Sequence, residues 1–461
     1  MSKVDSKIIN CKLYFESEIF DQGVGVAISG GKVAAIGKES NLPDADRIID
    51  AHGWLVLPGP IDAHVHMGDP WEAPDKALAM RREDFASGTM AAAAGGITTI
   101  IDMPDNMPLV VSSAVFREKV VYCSKKAYID FGLHGGFVPG MDYAKEIPSL
   151  WMEGAAGLKT FMCYSIDEWP AIKDGELLEA LNIVSQINAL AMIHAENDDI
   201  LSHNKKRLLE KGRKDYSAHI EWRPPIAEIE AGRRVIFYLK STGARGIIVH
   251  TSVPETVEEI GHLSNGRISV ETCPHYLYLT DEDVRRKGPW LKCAPPLREK
   301  WRVSELRRMF ANGLIDTVGS DHAPYTREEK AQGLSDIWKA ANGIPGIEHM
   351  YPLLLNAVNE GWLSLHRLVK VTSENVARIY GIYPKKGKIQ VGSDADFVVV
   401  DLKKHVKISD ENTKMKVGWT PYDGFEAKGY PVMTIVRGEI VMDNGIIVGK
   451  PGYGKFVRRI I

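Results

Sequence analysis

The sequence predicts an α/β fold: a (β/α)8 barrel of the TIM type carrying a small β-sandwich built from both chain termini. Three observations lead there. Apolar, strand-like runs alternate with helix-like stretches eight times between residues 58 and 383, the pattern of a parallel sheet closed on itself. The two ends, residues 1–57 and 384–461, read as β-rich instead, and the ends of a folded chain often lie together. Histidines and an aspartate collect at the ends of several runs, where a barrel keeps its chemistry.

Taken in order, residues 8–14 read as a strand. Residues 24–29 and 32–37 flank Gly30-Gly31, which supplies the positive φ of a hairpin turn. The eight runs are 59–66, 96–102, 128–138, 156–162, 189–196, 246–252, 268–276 and 315–322. Residues 225–239 between the fifth and sixth read as a helix opening on Pro225, where a missing N–H is harmless. After residue 384 the β pattern returns. Residues 388–401 end in a buried-strand run, and 432–449 contain an Asn444-Gly445 hairpin turn.

The 461 residues suffice for one long domain or two, with a large core. A net charge of −3 gives no electrostatic case for nucleic acid or a membrane surface. The five cysteines, Cys11, Cys123, Cys163, Cys273 and Cys293, include no CxxC pair. Reduced thiols in a cytoplasmic protein are the expectation. The start of the chain is polar, and no apolar stretch reaches the ~18 residues of a membrane span.

Residues i and i+2 of a strand share a side, so His64 and His66 present two imidazoles together, with Asp62 on the same side. Two neutral imidazoles on a rigid strand end make half a site for a borderline metal such as zinc. Run four carries Lys159, run five ends at His194, run six at His250 and run eight at Asp321. Their convergence on one face predicts a metal centre. Lys159 is out of place there, because an ammonium repels cations. A lysine that loses its charge on burial can add CO2 and become a carbamate, a two-oxygen anion able to bridge two metals about 3.5–4 Å apart. The alternative is a lysine snorkelling at the rim.

The segments Pro58-Gly59-Pro60-Ile61-Asp62-Ala63-His64-Val65-His66, Gly157-Leu158-Lys159-Thr160-Phe161, His194-Ala195-Glu196-Asn197, Arg223-Pro224-Pro225, Glu271-Thr272-Cys273-Pro274-His275-Tyr276, Ala294-Pro295-Pro296-Leu297-Arg298 and Ser320-Asp321-His322-Ala323-Pro324 resemble the cyclic amidohydrolases. That group holds hydantoinases (dihydropyrimidinases), allantoinases and dihydroorotases, and its fold is a (β/α)8 barrel with a β-sandwich from both chain ends. The resemblance implies that His64 and His66 hold one metal, His194 and His250 a second, and carboxylated Lys159 bridges them. It implies that Asp321 ligates the first metal and acts as general base and acid. The implied reaction is ring opening of a cyclic amide to an N-carbamoyl acid by a metal-bridged hydroxide. Zinc is the expected metal, with manganese and cobalt as alternatives.

For the substrate, Tyr164 resembles the oxyanion tyrosine of hydantoinases, and Asn342 in Asn342-Gly343-Ile344-Pro345-Gly346 their ring-side asparagine. Asn106 and Ala294 sit in segments closer to allantoinases. A hydantoin-type five-membered ring, a small cyclic ureide, covers both readings. Dihydroorotase fits less well. Gly68 stands where an arginine usually meets that substrate's carboxylate, Asp69 would repel it, and Tyr325 replaces a family histidine. A non-catalytic scaffold, like the collapsin-response mediator proteins that lack the metal ligands, is the reading from another class. A single-metal deaminase is a third; it leaves Lys159 without a role. The resemblance further suggests a homotetramer or homodimer.

Overall fold

Residues 3–67, 81–261 and 266–460 are described by the computed structural model; Gly68 and Asp69 lie outside them. All eight runs contribute strands to one parallel ring. Ile61–Val65 pairs with Thr99–Asp102, which pairs with Asp130–Leu133. Gly135–Gly136, Leu158–Phe161, Leu190–His194, Arg245–Ile248, Ile268–Thr272 and Thr317–Val318 follow, each parallel to the next. The ring closes where the His66 amide donates to the His322 carbonyl at 2.8 Å, beside a parallel bridge between Val65 and His322.

Several strands are shorter than the apolar runs that announced them. The third is broken at His134 into Asp130–Leu133 and Gly135–Gly136, and the Ala156 amide reaches the Leu133 carbonyl at 2.9 Å across the break. Glycine is required at 136, because a Cβ there would lie 2.2 Å from the Trp169 ring. The seventh run turns helical at Pro274–Tyr278, with proline in the first turn. Thr317–Val318 is all that remains of the eighth. The backbone of these last residues leaves the ladder to aim side chains at the barrel mouth. Pro225–Thr242 is a helix that ends on Gly243 at φ 69°, the left-handed stop glycine tolerates best.

The two chain ends share one antiparallel-dominated sheet. Leu55–Pro58 is its hinge, pairing with Val4–Phe15 on one side and Phe397–Lys407 on the other. Glu18–Ser29 and Lys32–Lys38 extend it at one edge; Glu426–Val436, Glu439–Asp443 and Ile446–Ile447 extend it at the other. Gly30-Gly31 turns at φ 58° and 74°, and Asn444-Gly445 at 48° and 82°. A further tight turn, Arg437-Gly438, separates Glu426–Val436 from Glu439–Asp443. This sheet has its own core around Ile8, Leu13, Val26, Phe397, Val399 and Ile435. Lys386, fully buried, ties it to the barrel by pairing with Asp130 of the third strand and with Asp394 and Asp396. Only two residues separate Pro58 from Ile61, so the first barrel strand starts directly from the terminal sheet.

Candidate metal centre

His64 lies inside Ile61–Val65 and His66 one residue beyond it. Their Nε2 atoms are each 3.2 Å from Asp321 Oδ1. Behind them, His64 Nδ1 lies 2.6 Å from Glu271 Oε1, and His66 Nδ1 lies 2.8 and 2.9 Å from the Asp105 oxygens. An imidazole that donates Nδ1–H to a carboxylate turns its Nε2 lone pair forward, the usual support of a metal-bound histidine. Burial pushes the Asp105 carboxyl up, but the His66 ring and the Lys159 and Lys119 charges outweigh this and hold it at about 2. Burial likewise pushes His66 down, while Asp105 and Asp321 raise it to about 10. This corner is built to hold positive charge. Asp62 does not join it. A register shift between Asp62 and Val65 interrupts the strand's alternation, and the carboxylate accepts from the Ser320 and His64 amides instead.

His194 and His250 complete the ring of imidazoles, with centroids 4.5 Å apart and His250 5.2 Å from His64. His194 Nε2 is 2.7 Å from Glu196 Oε2, and Glu196 is itself paired with buried Arg223. That leaves Nδ1 of His194 as the nitrogen that could face a cation. His250 and Asp321 have φ of 39° and 49°. Such left-handed backbone at non-glycine residues is strained and concentrates at functional sites.

Lys159 is buried, at 1% exposure, which rules out a lysine snorkelling at the rim. Its Nζ has no hydrogen-bond partner among the described residues and sits 4.8 Å over the Phe161 ring, which in turn packs on His194 at 5.3 Å. Burial lowers the amine to about 8, against the pull of Asp321, Asp105 and Glu271. His250 Nδ1 is likewise buried without a hydrogen-bond partner among the described residues. Four imidazoles, one carboxylate and an amine that can be carboxylated fit two divalent cations.

The remaining sequence candidates are placed less uniformly. Asn342 has a buried Oδ1 without a partner among the described residues. Ala294 is partly buried, one residue from Cys293, whose carbonyl accepts from His219 at 2.9 Å. Tyr164 is 47% exposed, and its hydroxyl donates to Asp167 at 2.6 Å. The Asn106 amide is engaged at both ends, accepting from Lys119 at 2.7 Å and donating to the Met67 carbonyl. Asp105, Glu271, Glu196 and Arg223 have no role in the sequence reading, although Glu271, Glu196 and Arg223 stand in the quoted segments and Asp105 adjoins Asn106. The signal available was a carboxylate in a segment that also ends at the barrel mouth.

A parallel barrel with this donor set at its strand ends defines a metal-dependent hydrolase. The chain belongs to the amidohydrolase family, whose model matches residues 55–441. It is 38% identical to the L-hydantoinase of Paenarthrobacter aurescens over 99% of this chain and 98% of that one. It is 36% identical to the allantoinase of Rubrobacter xylanophilus (94% and 93%) and 33% identical to a dihydroorotase of Methanosarcina mazei (98% and 97%). A solved L-hydantoinase structure from Arthrobacter aurescens superposes with a TM-score of 0.93 at 38% identity, covering 99% of this chain and 100% of that one. Among the described residues no helix is long and apolar enough to cross a membrane.

Proposed function

We propose that this protein opens a hydantoin-type ring, as a hydantoinase or allantoinase, to an N-carbamoyl acid. The observation that carries the reading is Lys159: a buried amine with no partner among the described residues, set among strand-end imidazoles. Carboxylated, it would bridge two divalent ions, zinc by preference and manganese or cobalt as alternatives. His64, His66 and Asp321 would hold one ion, and His194 and His250 the other. When bound, such a pair supplies Lewis acidity toward the ring carbonyl and the attacking water.

The chain's own residues do the rest. Burial pushes the Asp321 carboxyl up, but His64, His66 and His250 hold it well below the usual carboxylate range. It is therefore ionised and ready to take the water's proton, then hand it to the leaving ring nitrogen. Tyr164 donates to the oxyanion after exchanging Asp167 for substrate. The free Asn342 Oδ1 accepts a ring N–H, Ala294 leaves room at the wall, and Asn106 shapes the entrance through Lys119 and Met67. The proposal includes a homotetramer or homodimer in the cytoplasm, a reducing compartment that suits five buried free cysteines.

Dihydroorotase is the second reading, favoured by relatives of that name at 33% identity. The scaffold reading has no use for a complete donor set, and a one-metal deaminase has none for Lys159. Turnover of allantoin, hydantoin, 5-substituted hydantoins, dihydrouracil and dihydroorotate, read by ring-opening absorbance, separates them. The proposal expects the five-membered rings to turn over fastest. Rapid dihydroorotate opening with the others inert would replace it.

A further inference from the structure

Three other clusters of metal-ligating side chains exist among the described residues: Cys163–His194–Glu196, Cys273–His275–Asp321 and Asp130–Asp394–Asp396. Two already contain a cation or a closed hydrogen bond. Lys386 Nζ sits among the three aspartates. His194 and Glu196 bond each other, with Arg223 on the carboxylate. The Cys273–His275–Asp321 cluster is different. Its ligand atoms all lie within 4.8 Å of one another. His275 is 1% exposed, yet neither ring nitrogen has a hydrogen-bond partner among the described residues. A buried imidazole leaving both nitrogens unused forfeits about 1–3 kcal/mol per polar group unless something else satisfies it. The ring is not free to turn away, since it packs 4.1 Å from Tyr276, whose hydroxyl is anchored on the Pro295 carbonyl at 2.7 Å.

We propose that Cys273, His275 and Asp321 form a third, inhibitory cation site for a thiophilic divalent ion, namely cadmium or zinc in excess of the catalytic pair. A thiolate, an imidazole and a carboxylate are a donor set for such ions and a poor one for magnesium or calcium. Cys273 is fully buried, whereas the Asp321 side chain keeps 12% exposure at the barrel mouth, so the ion enters past the aspartate. Binding forms a metal–sulfur bond and releases the thiol proton to solvent. It also draws Asp321 away from proton transfer. The inhibitory half of the proposal rests on the hydrolase reading; the binding half does not.

The test titrates cadmium into the zinc-loaded protein and reads two signals. The first is the ultraviolet thiolate-to-cadmium charge-transfer band, with metal stoichiometry by elemental analysis. The second is turnover of the best ring substrate. The wild type is expected to gain the band with one further equivalent per chain. Its turnover should fall about 100-fold or more, the worth of a positioned acid–base group. C273S should show neither change, while C163S should behave as wild type. A band of equal strength in C273S, or its absence from wild type, overturns the site. A band with undiminished turnover overturns the inhibitory role. If no ring substrate turns over at all, the hydrolase reading fails while band and stoichiometry still decide the site.

Discussion

Replacing Asp105 by asparagine isolates the charge of one orienting carboxylate. Both Asp105 oxygens face His66 Nδ1, at 2.8 and 2.9 Å, and Asn keeps an acceptor there while removing the negative charge. Carboxylates that support a metal-bound histidine are worth about 10–100-fold in metal affinity, or about 1.4–2.7 kcal/mol. Asp105 is only partly buried, at 23% side-chain exposure, so the fold should survive the change. Competition against a chromophoric chelator measures the loss directly, with a urea transition to confirm that stability is kept. Glu271→Gln should lose more. That carboxylate has 1% side-chain exposure, and the same oxygen that meets His64 also accepts from the His250 amide at 3.3 Å. The reasoning is refuted if Asp105→Asn holds both metals as tightly as wild type.

Three further outcomes are expected. Lys386→Met leaves three buried aspartates without their cation and should destabilise the protein by about 3–5 kcal/mol in urea; a loss under about 1 kcal/mol would contradict it. His349 is buried and held neutral down to about 3 by burial, against its ordinary 6.5. The unfolded chain therefore binds a proton that the folded one does not, and stability present above pH 6.5 is lost as pH falls toward 3. His349→Asn should flatten the pH dependence of stability in that window by about 1.4 kcal/mol per pH unit. An unchanged slope would place the titration elsewhere. Tyr164→Phe should lower kcat about 100–1,000-fold with little change in KM if its hydroxyl serves the oxyanion; wild-type kcat would remove it from the mechanism.

The ring of strands and the convergence of strand-end histidines with Asp321 were legible because each is a local signal. An apolar run, and a histidine at its end, need only a few neighbours to be read. What supports those ligands was not local. Asp105 is 39 residues from His66, and Glu271 is 207 residues from His64, so ring closure alone brings them together. The break at His134 and the short eighth strand were hidden for another reason. Buried loops at a barrel mouth are as apolar as the strands they leave. Asp62, read from sequence only as sharing the histidines' side, accepts from the Ser320 and His64 amides, a use that strand alternation does not announce. Tyr164 shows the opposite limit, since a sequence position can suggest a donor without saying that Asp167 already accepts its proton.

The central claim is that Lys159 carries a carboxylate between two metals. Growing the protein with 13C-bicarbonate and recording its carbon NMR spectrum tests this most directly, alongside metal analysis of the same sample. The expected result is one carbamate carbon and two divalent ions per chain in wild type, with the carbamate signal absent and metal lost in Lys159→Ala. An unmodified lysine in fully active protein would contradict the account.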